Sequence, residues 1–171
     1  MRKLLIVGAG IYGLVAKEIA ESMGCFSKIG FVDDGAKATP NGIPVIGTGQ
    51  DLVALSKEYD SAVVAIGNPA VRLAILEKLE METNLNVATL VSPRAYVSPS
   101  ARIEPGSVIE PMAVIHAECV LGKGCIISAG AVVNHASHCG DCVHVDCNAT
   151  IAGNTTVSSG VKVVSNTVFC K

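Results

Sequence analysis

A period of six runs through the second half of this 171-residue chain and restricts its fold more than any other feature. The tripeptide VSP at 91–93 returns at 97–99, and IEP at 103–105 returns at 109–111. Stepping by six from Val97 gives Ile103, Ile109, Ile115, Leu121, Ile127, Val133, Cys139, Val145, Ile151, Val157, Val163 and Phe169, and every position is apolar. Two residues before each stands a mostly small residue, as at Ala95, Ala101, Ser107, Ala113 and Cys119. An α-helix repeats near 3.6 residues and a half-buried strand at 2, so neither accounts for the pattern. A hexapeptide β-helix does, each hexad building one flat wall of a coil.

Residues 1–90 follow another pattern. Short apolar runs at 3–8, 29–34, 61–67 and 86–92 read as buried strands. Between them, helical spacing covers 11–23 (Ile11, Val15, Ile19 and Met23 on one face), 48–58 and 68–80. Alternating strands and helices predict a small Rossmann-like parallel α/β domain with right-handed crossovers. The expected organisation is therefore 1–90 as a nucleotide-binding domain and 91–171 as a β-helix. GAGIYG at 8–13 is a GxGxxG turn between a strand and a helix, with Asp33 and Asp34 twenty residues beyond Gly13. That combination is a dinucleotide fingerprint, so an NAD-binding regulator stays open at this point.

Composition narrows the partners. A formal net charge of -2 gives no electrostatic reason for nucleic acid or an anionic membrane. Seven cysteines are an odd number for a disulfide framework. The basic, apolar start MRKLLIVGAG imitates an export signal, but its glycines belong to the turn. No apolar run approaches the ~20 residues of a membrane span. The expectation is a cytoplasmic protein with reduced thiols.

The repeat, preceded by a small nucleotide-binding domain, resembles the bacterial sugar-nucleotide acetyltransferases of the hexapeptide-repeat superfamily, a group that includes UDP-amino-sugar N-acetyltransferases and sialic acid O-acetyltransferases. The resemblance implies a left-handed β-helix with three walls and 18 residues per coil. It also implies a homotrimer with active sites between prisms, and acetyl-CoA as co-substrate without a metal.

In that register the dense stretch VVNHASHCGDCVHVDC at 132–147 separates. Cys139 falls on the interior column, Cys119 and Cys125 on the small corner column, and Cys142 and Cys147 on outward or corner positions. The ligands diverge, so zinc is not expected. Residues 18 apart stack at about 4.8 Å. His135 then lies between Ala117 and Gly153, His138 between Val120 and Thr156, and His144 between Ile126 and Lys162. His138 reads as a surface residue. Nine residues put His135 and His144 on opposite sides of one prism, able to meet only across a subunit interface.

The family carries a catalytic His in an N-H context and a second His nine residues later, matched here by Asn134-His135 and Val143-His144. The resemblance implies His135 as general base, with His144, Gly153 and Ser165 on the coenzyme side. An imidazole suits proton removal from an attacking amine or hydroxyl, and a backbone N–H such as that of Gly153 suits the oxyanion. Two departures stand out. Ala136 replaces the usual carboxylate after the histidine, and Glu118, 18 residues earlier, is the expected substitute. The sequence also stops at FCK, before the further coils usual in the family.

For the first domain the resemblance implies the nucleotide of a sugar nucleotide, UDP, in place of NAD. Gly10, Ile11 and Tyr12 would meet the ligand at the turn, Asp33 and Asp34 on the uridine or sugar side, and Gly67 and Asn68 in the next loop. Members often carry Gly-His where Ile11-Tyr12 stands. Arg72 reads as a solvated charge. The expected activity is acetylation of an amino or hydroxyl group on a UDP-amino-sugar. A non-catalytic nucleotide-binding trimer is the alternative raised by Ala136 and the short tail.

Overall fold

The computed structural model describes residues 1–170, which divide into two compact units, Met1–Leu90 and Val91 onward. The first is a five-stranded parallel sheet. Its elements are β1 (Arg2–Val7), α1 (Ile11–Ser22), β2 (Phe26–Val32), β3 (Val45–Gly47), α2 (Leu52–Leu55), β4 (Ser61–Val64), α3 (Pro69–Glu82) and β5 (Asn86–Val87). The strand order is β3-β2-β1-β4-β5. The chain leaves β1 toward β2 and later crosses back to β4, so the order reverses between β1 and β4. Open parallel sheets bind ligands at such a switch point, beyond the carboxyl ends of the strands. Leu4, Leu5 and Ile6 of β1 and Ala62, Val63 and Val64 of β4 have no exposed surface, as strands covered on both faces require.

Three details differ from the sequence reading. The short edge strand β3, between Pro44 and Gly47, was not expected. The helix expected over 48–58 is only α2, because residues 48–51 are spent on a turn in which Asp51 accepts hydrogen bonds from the Thr48 N–H and hydroxyl. In α1 the face against the sheet is made of Gly13, Ala16, Ile19 and Ala20, while Ile11 is 67% exposed. Gly13 sits so close to the first turn that a β-carbon there would overlap the Gly8 carbonyl oxygen.

The second unit is the left-handed β-helix. Its strands are dipeptides: β6 (Leu90–Val91), β7 (Tyr96–Val97), β8 (Arg102–Ile103), β9 (Val108–Ile109), β10 (Val114–Ile115), β11 (Val120–Leu121), β12 (Ile126–Ile127), β13 (Val132–Val133), β14 (His138–Cys139), β15 (His144–Val145), β16 (Thr150–Ile151), β17 (Thr156–Val157), β18 (Lys162–Val163) and β19 (Val168–Phe169). They form three parallel walls: β7-β10-β13-β16-β19, β8-β11-β14-β17 and β6-β9-β12-β15-β18. Register steps by 18, as in Val114↔Val132 and Ile126↔His144. Ile109, Ile115, Leu121, Ile127, Val133, Val145, Ile151 and Val157 are fully buried along the axis.

The corners keep the same period. Every sixth residue from Gly106 to Asn166, including Glu118 (φ 60°) and Ala136 (φ 53°), lies in the left-handed region. For most residues other than glycine this costs roughly 1–2 kcal/mol, so backbone strain falls on the corners held by Met112, Glu118, Ala136 and Cys142. The cysteines fit as small hydrophobes. Cys119 and Cys125 donate to the carbonyls of Asn134 (3.0 Å) and Gly140 (3.2 Å). Burial, and then the neighbouring Cys119, push the Cys139 thiol up to about 12. Cys147 is exposed, whereas Cys142 is buried at its corner. Among the described residues, no helix is long and apolar enough to cross a membrane.

Candidate active site and nucleotide cleft

A cleft of about 250 Å³ opens at the switch point of the first unit. The ends of β1 (Val7, Gly8), β2 (Asp33, Asp34) and β4 (Ile66) line it, together with one face of α3. Gly8 adopts φ +115°, and a β-carbon on it would lie 2.7 Å from the Ala65 carbonyl oxygen, so the turn needs glycine here. Gly10 faces open space.

Asp33 holds this turn together. One carboxylate oxygen accepts from the Ala9 N–H at 2.8 Å, and the other accepts from Gly35 and Ala36, each at 2.8 Å. Burial alone would raise its pKa, but the donors of Ala9, Ala36 and Gly35 outweigh it and hold the group below the usual carboxylate value. Asp34 accepts from the Gly49 N–H at 2.7 Å. Gly10, Ile11 and Tyr12 stand beside the cleft at the start of α1 without lining it. Asn68 caps α3, its side-chain oxygen accepting from Ala70 (3.0 Å) and Val71 (3.2 Å).

Arg72 is not a solvated charge. It is fully buried, and Nη1 donates to the carbonyls of Ile66 (2.6 Å) and Gly67 (3.1 Å). It thereby fixes the loop after β4, which supplies one side of the cleft. The sequence reading also passed over Lys78, whose Nζ donates to the Gly49 carbonyl at 2.9 Å inside the cleft. Its signal was a lysine at helical spacing from Val71 and Ile75, which line the same cleft.

In the β-helix, His135 occupies the corner between the first and second walls and is exposed. Its imidazole lies against Gly153, where a β-carbon would come within 2.7 Å of Cε1 and 3.0 Å of Nε2. The backbone stacks as expected, Ala136 donating to Ala117 and Asn154 to His135, each at 2.9 Å. The Asn134 side chain accepts from the His135 N–H at 2.8 Å.

That last contact belongs to a series. At this turn position the N–H points away from the ladder, and a side chain receives it at each of five successive turns. The pairs are Lys123 with Asp141 (2.8 Å), Ala129 with Glu110 (3.0 Å), His135 with Asn134, Asp141 with Ser159 (2.9 Å) and Cys147 with Asp146 (2.9 Å). At Gly153 the N–H finds no acceptor among the described residues, as is also the case at Ala117, Ser159 and Ser165 of the same column. Among these, the Gly153 donor is the one that lies next to the imidazole.

Glu118 stands one coil beneath Ala136, and its N–H donates to Ser100 Oγ at 3.1 Å. Its carboxylate is exposed and makes no hydrogen bond among the described residues, to His135 or otherwise. His144 lies on the third wall, across the prism from His135, in register with Ile126 and Lys162. It is only 8% exposed, with Nε2 3.2 Å from Ser128 Oγ and 4.0 Å from Asp146 Oδ1. Burial opposes ionisation of Asp146, but Lys162 at 2.9 Å and the Cys147 N–H bring its pKa below the ordinary value. Ser165 is half-exposed at the corner of the following coil. His138 is exposed between Val120 and Thr156. Among the described residues, no three His, Cys, Asp or Glu side chains are grouped to hold a metal ion.

Known proteins share both halves. Residues 3–79 match the model of the PglD N-terminal domain, and residues 89–135 match that of the bacterial transferase hexapeptide with six repeats. The acetyltransferase domain of PglB from Neisseria gonorrhoeae FA1090, solved with acetyl coenzyme A, is 34% identical over 98% of this chain and 92% of its own, with a TM-score of 0.85. PerB from Caulobacter crescentus, solved with CoA and GDP-perosamine, has the same fold at 23% identity over 98% of this chain and 91% of its own (TM-score 0.64). So does WeeI from Acinetobacter baumannii AYE, at 20% identity over 98% and 94% (TM-score 0.74). No curated protein sequence matches the chain.

Proposed function

The chain belongs to the hexapeptide-repeat sugar-nucleotide acetyltransferases, and we propose that it acetylates a nucleotide-activated sugar from acetyl-CoA. The substrate we infer is a UDP-amino-sugar, bound through its nucleotide in the cleft of the first unit. The observation that carries this reading is the pairing at one corner of an exposed imidazole, His135, with a backbone donor, the N–H of Gly153, that has no acceptor among the described residues.

Acyl transfer needs those two groups. As the sugar amine or hydroxyl bonds to the acetyl carbon, its proton passes to His135. The negative charge that develops on the carbonyl oxygen is met by the Gly153 N–H. When the C–S bond breaks, the proton returns from His135 to the leaving thiolate. Acetyl-CoA supplies the thioester, and this chain's groups hold the proton and the charge.

We assign His144 and Ser165 to the coenzyme side and Glu118 to orienting the imidazole from the coil below. His135 and His144 lie on opposite sides of one prism, so a site using both forms between neighbouring copies of a homotrimer with parallel axes. The test is release of free CoA when acetyl-CoA is mixed with UDP-, GDP- and CMP-linked amino-sugars, alongside sedimentation for the trimer. Nucleotide-dependent CoA release supports the reading. Nucleotide binding with no CoA release would favour a non-catalytic binding trimer.

A further inference from the structure

Within the cleft of the first unit, a carboxylate and an ammonium are fastened to the two ends of one residue. Asp34 Oδ1 accepts from the N–H of Gly49 at 2.7 Å, and Lys78 Nζ donates to the carbonyl of Gly49 at 2.9 Å. A β-carbon on Gly49 would stand 3.3 Å from Asp34 Oδ1, a tight contact that glycine avoids. The two charged groups come from different elements, the end of β2 and the third turn of α3, and both line the same cleft.

Each keeps hydrogen-bonding capacity to spare. A carboxylate offers two oxygens, and among the described residues only Oδ1 of Asp34 is engaged. An ammonium carries three donors, of which one goes to Gly49, with Glu82 at 4.0 Å as an ion-pair neighbour. Asp33 next door has given both oxygens to the backbone, so Asp34 is the acceptor this side of the cleft offers. Around the pair, Leu52, Ile66, Val71 and Ile75 supply apolar walls. Such walls suit the faces of a flat ring, and the pair suits its polar edge.

We propose that Asp34 and Lys78 together read the edge of the nucleobase, selecting one in which a ring N–H stands beside a carbonyl. Uracil and guanine present that edge, the N–H toward Asp34 and the carbonyl oxygen toward Lys78. In the same seat, cytosine and adenine turn a bare ring nitrogen toward the carboxylate and an amino group toward the ammonium. Both contacts are then repulsive, which disfavours those two bases in this seat. The proposal rests on the reading of this cleft as the nucleotide-sugar site and adds which bases it accepts.

The experiment is calorimetric titration of the full chain with UDP, GDP, CDP and ADP. Tighter binding of UDP or GDP than of CDP and ADP, by tenfold or more, is expected, and the UDP and GDP arms separate the two bases that share the edge. Lys78→Met and Asp34→Asn should each bring the ratio toward one, and Lys78→Arg should preserve it. Equal affinity for UDP and CDP in the unaltered protein would overturn the proposal while leaving the nucleotide site standing. So would a Lys78→Met variant that weakens all four ligands equally, since a lysine serving the diphosphate would do that. Failure of all four to bind would remove the nucleotide-sugar reading and this inference with it.

Discussion

The imidazole of His135 rests on the α-carbon of Gly153, one coil above it, and leaves no room for a β-carbon between them. The relationship explains why an otherwise regular corner carries a glycine whose backbone does not need one: its φ lies outside the left-handed region. Gly153→Ala should therefore leave the fold intact and act on the ring. Turnover is expected to fall tenfold or more with the melting temperature shifted by less than a few degrees. Steady-state kinetics beside a thermal melt check both parts.

Glu118 and Ala136 occupy equivalent left-handed corners of successive coils, so their side chains leave the backbone in parallel. If Glu118 orients the imidazole, Glu118→Gln lowers turnover by part of the loss seen in His135→Ala. Ala136→Glu then restores it, at no new backbone cost, because a β-carbon already stands at φ 53°. The pair is expected to be non-additive. Turnover indifferent to Glu118→Gln would show His135 working without this carboxylate.

Arg72 predicts a loss of a different kind. Arg72→Met keeps the bulk but strands the carbonyls of Ile66 and Gly67. Stability of the first unit should drop by about 1–3 kcal/mol, the loss of charge-assisted hydrogen bonds to two part-buried carbonyls. Denaturant unfolding, followed separately in each unit by hydrogen exchange, measures it. An equal loss in the β-helix would contradict the assignment.

The pH dependence of the first unit follows from Asp33. Its folded pKa lies below the unfolded value near 4, so the unfolded state binds the proton more readily. The stability it confers is complete above that unfolded value and is lost as pH falls through the folded one. Asp33 is partly exposed, so solvent screening keeps the effect modest. Asp33→Asn should flatten the fall of melting temperature with pH below about 4. An unchanged acid limb would sink the claim that Asp33 clasps the turn.

How much of this was legible beforehand depended on whether the signal was periodic. The interior column from Val97 to Phe169 and the stacking of His135 under Gly153 follow from counting by six and eighteen, and the structure reproduces both. The glycine turn and Asp33 were visible as a motif, but the use of both carboxylate oxygens on backbone N–H groups was not, because Ala9 and Ala36 donate with the main chain. Arg72 looked like a surface charge since its acceptors are carbonyls, which carry no sequence signature. Lys78 and Gly49 meet across 29 residues, a distance no local pattern reports. That the Gly153 N–H has no acceptor among the described residues became apparent only against five neighbouring turns in which a side chain fills the same place.

The central claim is that His135 moves the proton in acyl transfer. Its most direct test is the rate of CoA release from acetyl-CoA and a UDP-amino-sugar by the intact protein and by His135→Ala. The expected result is a fall in kcat of roughly 10²–10⁴ with KM for both substrates little changed. Full turnover by His135→Ala would contradict it.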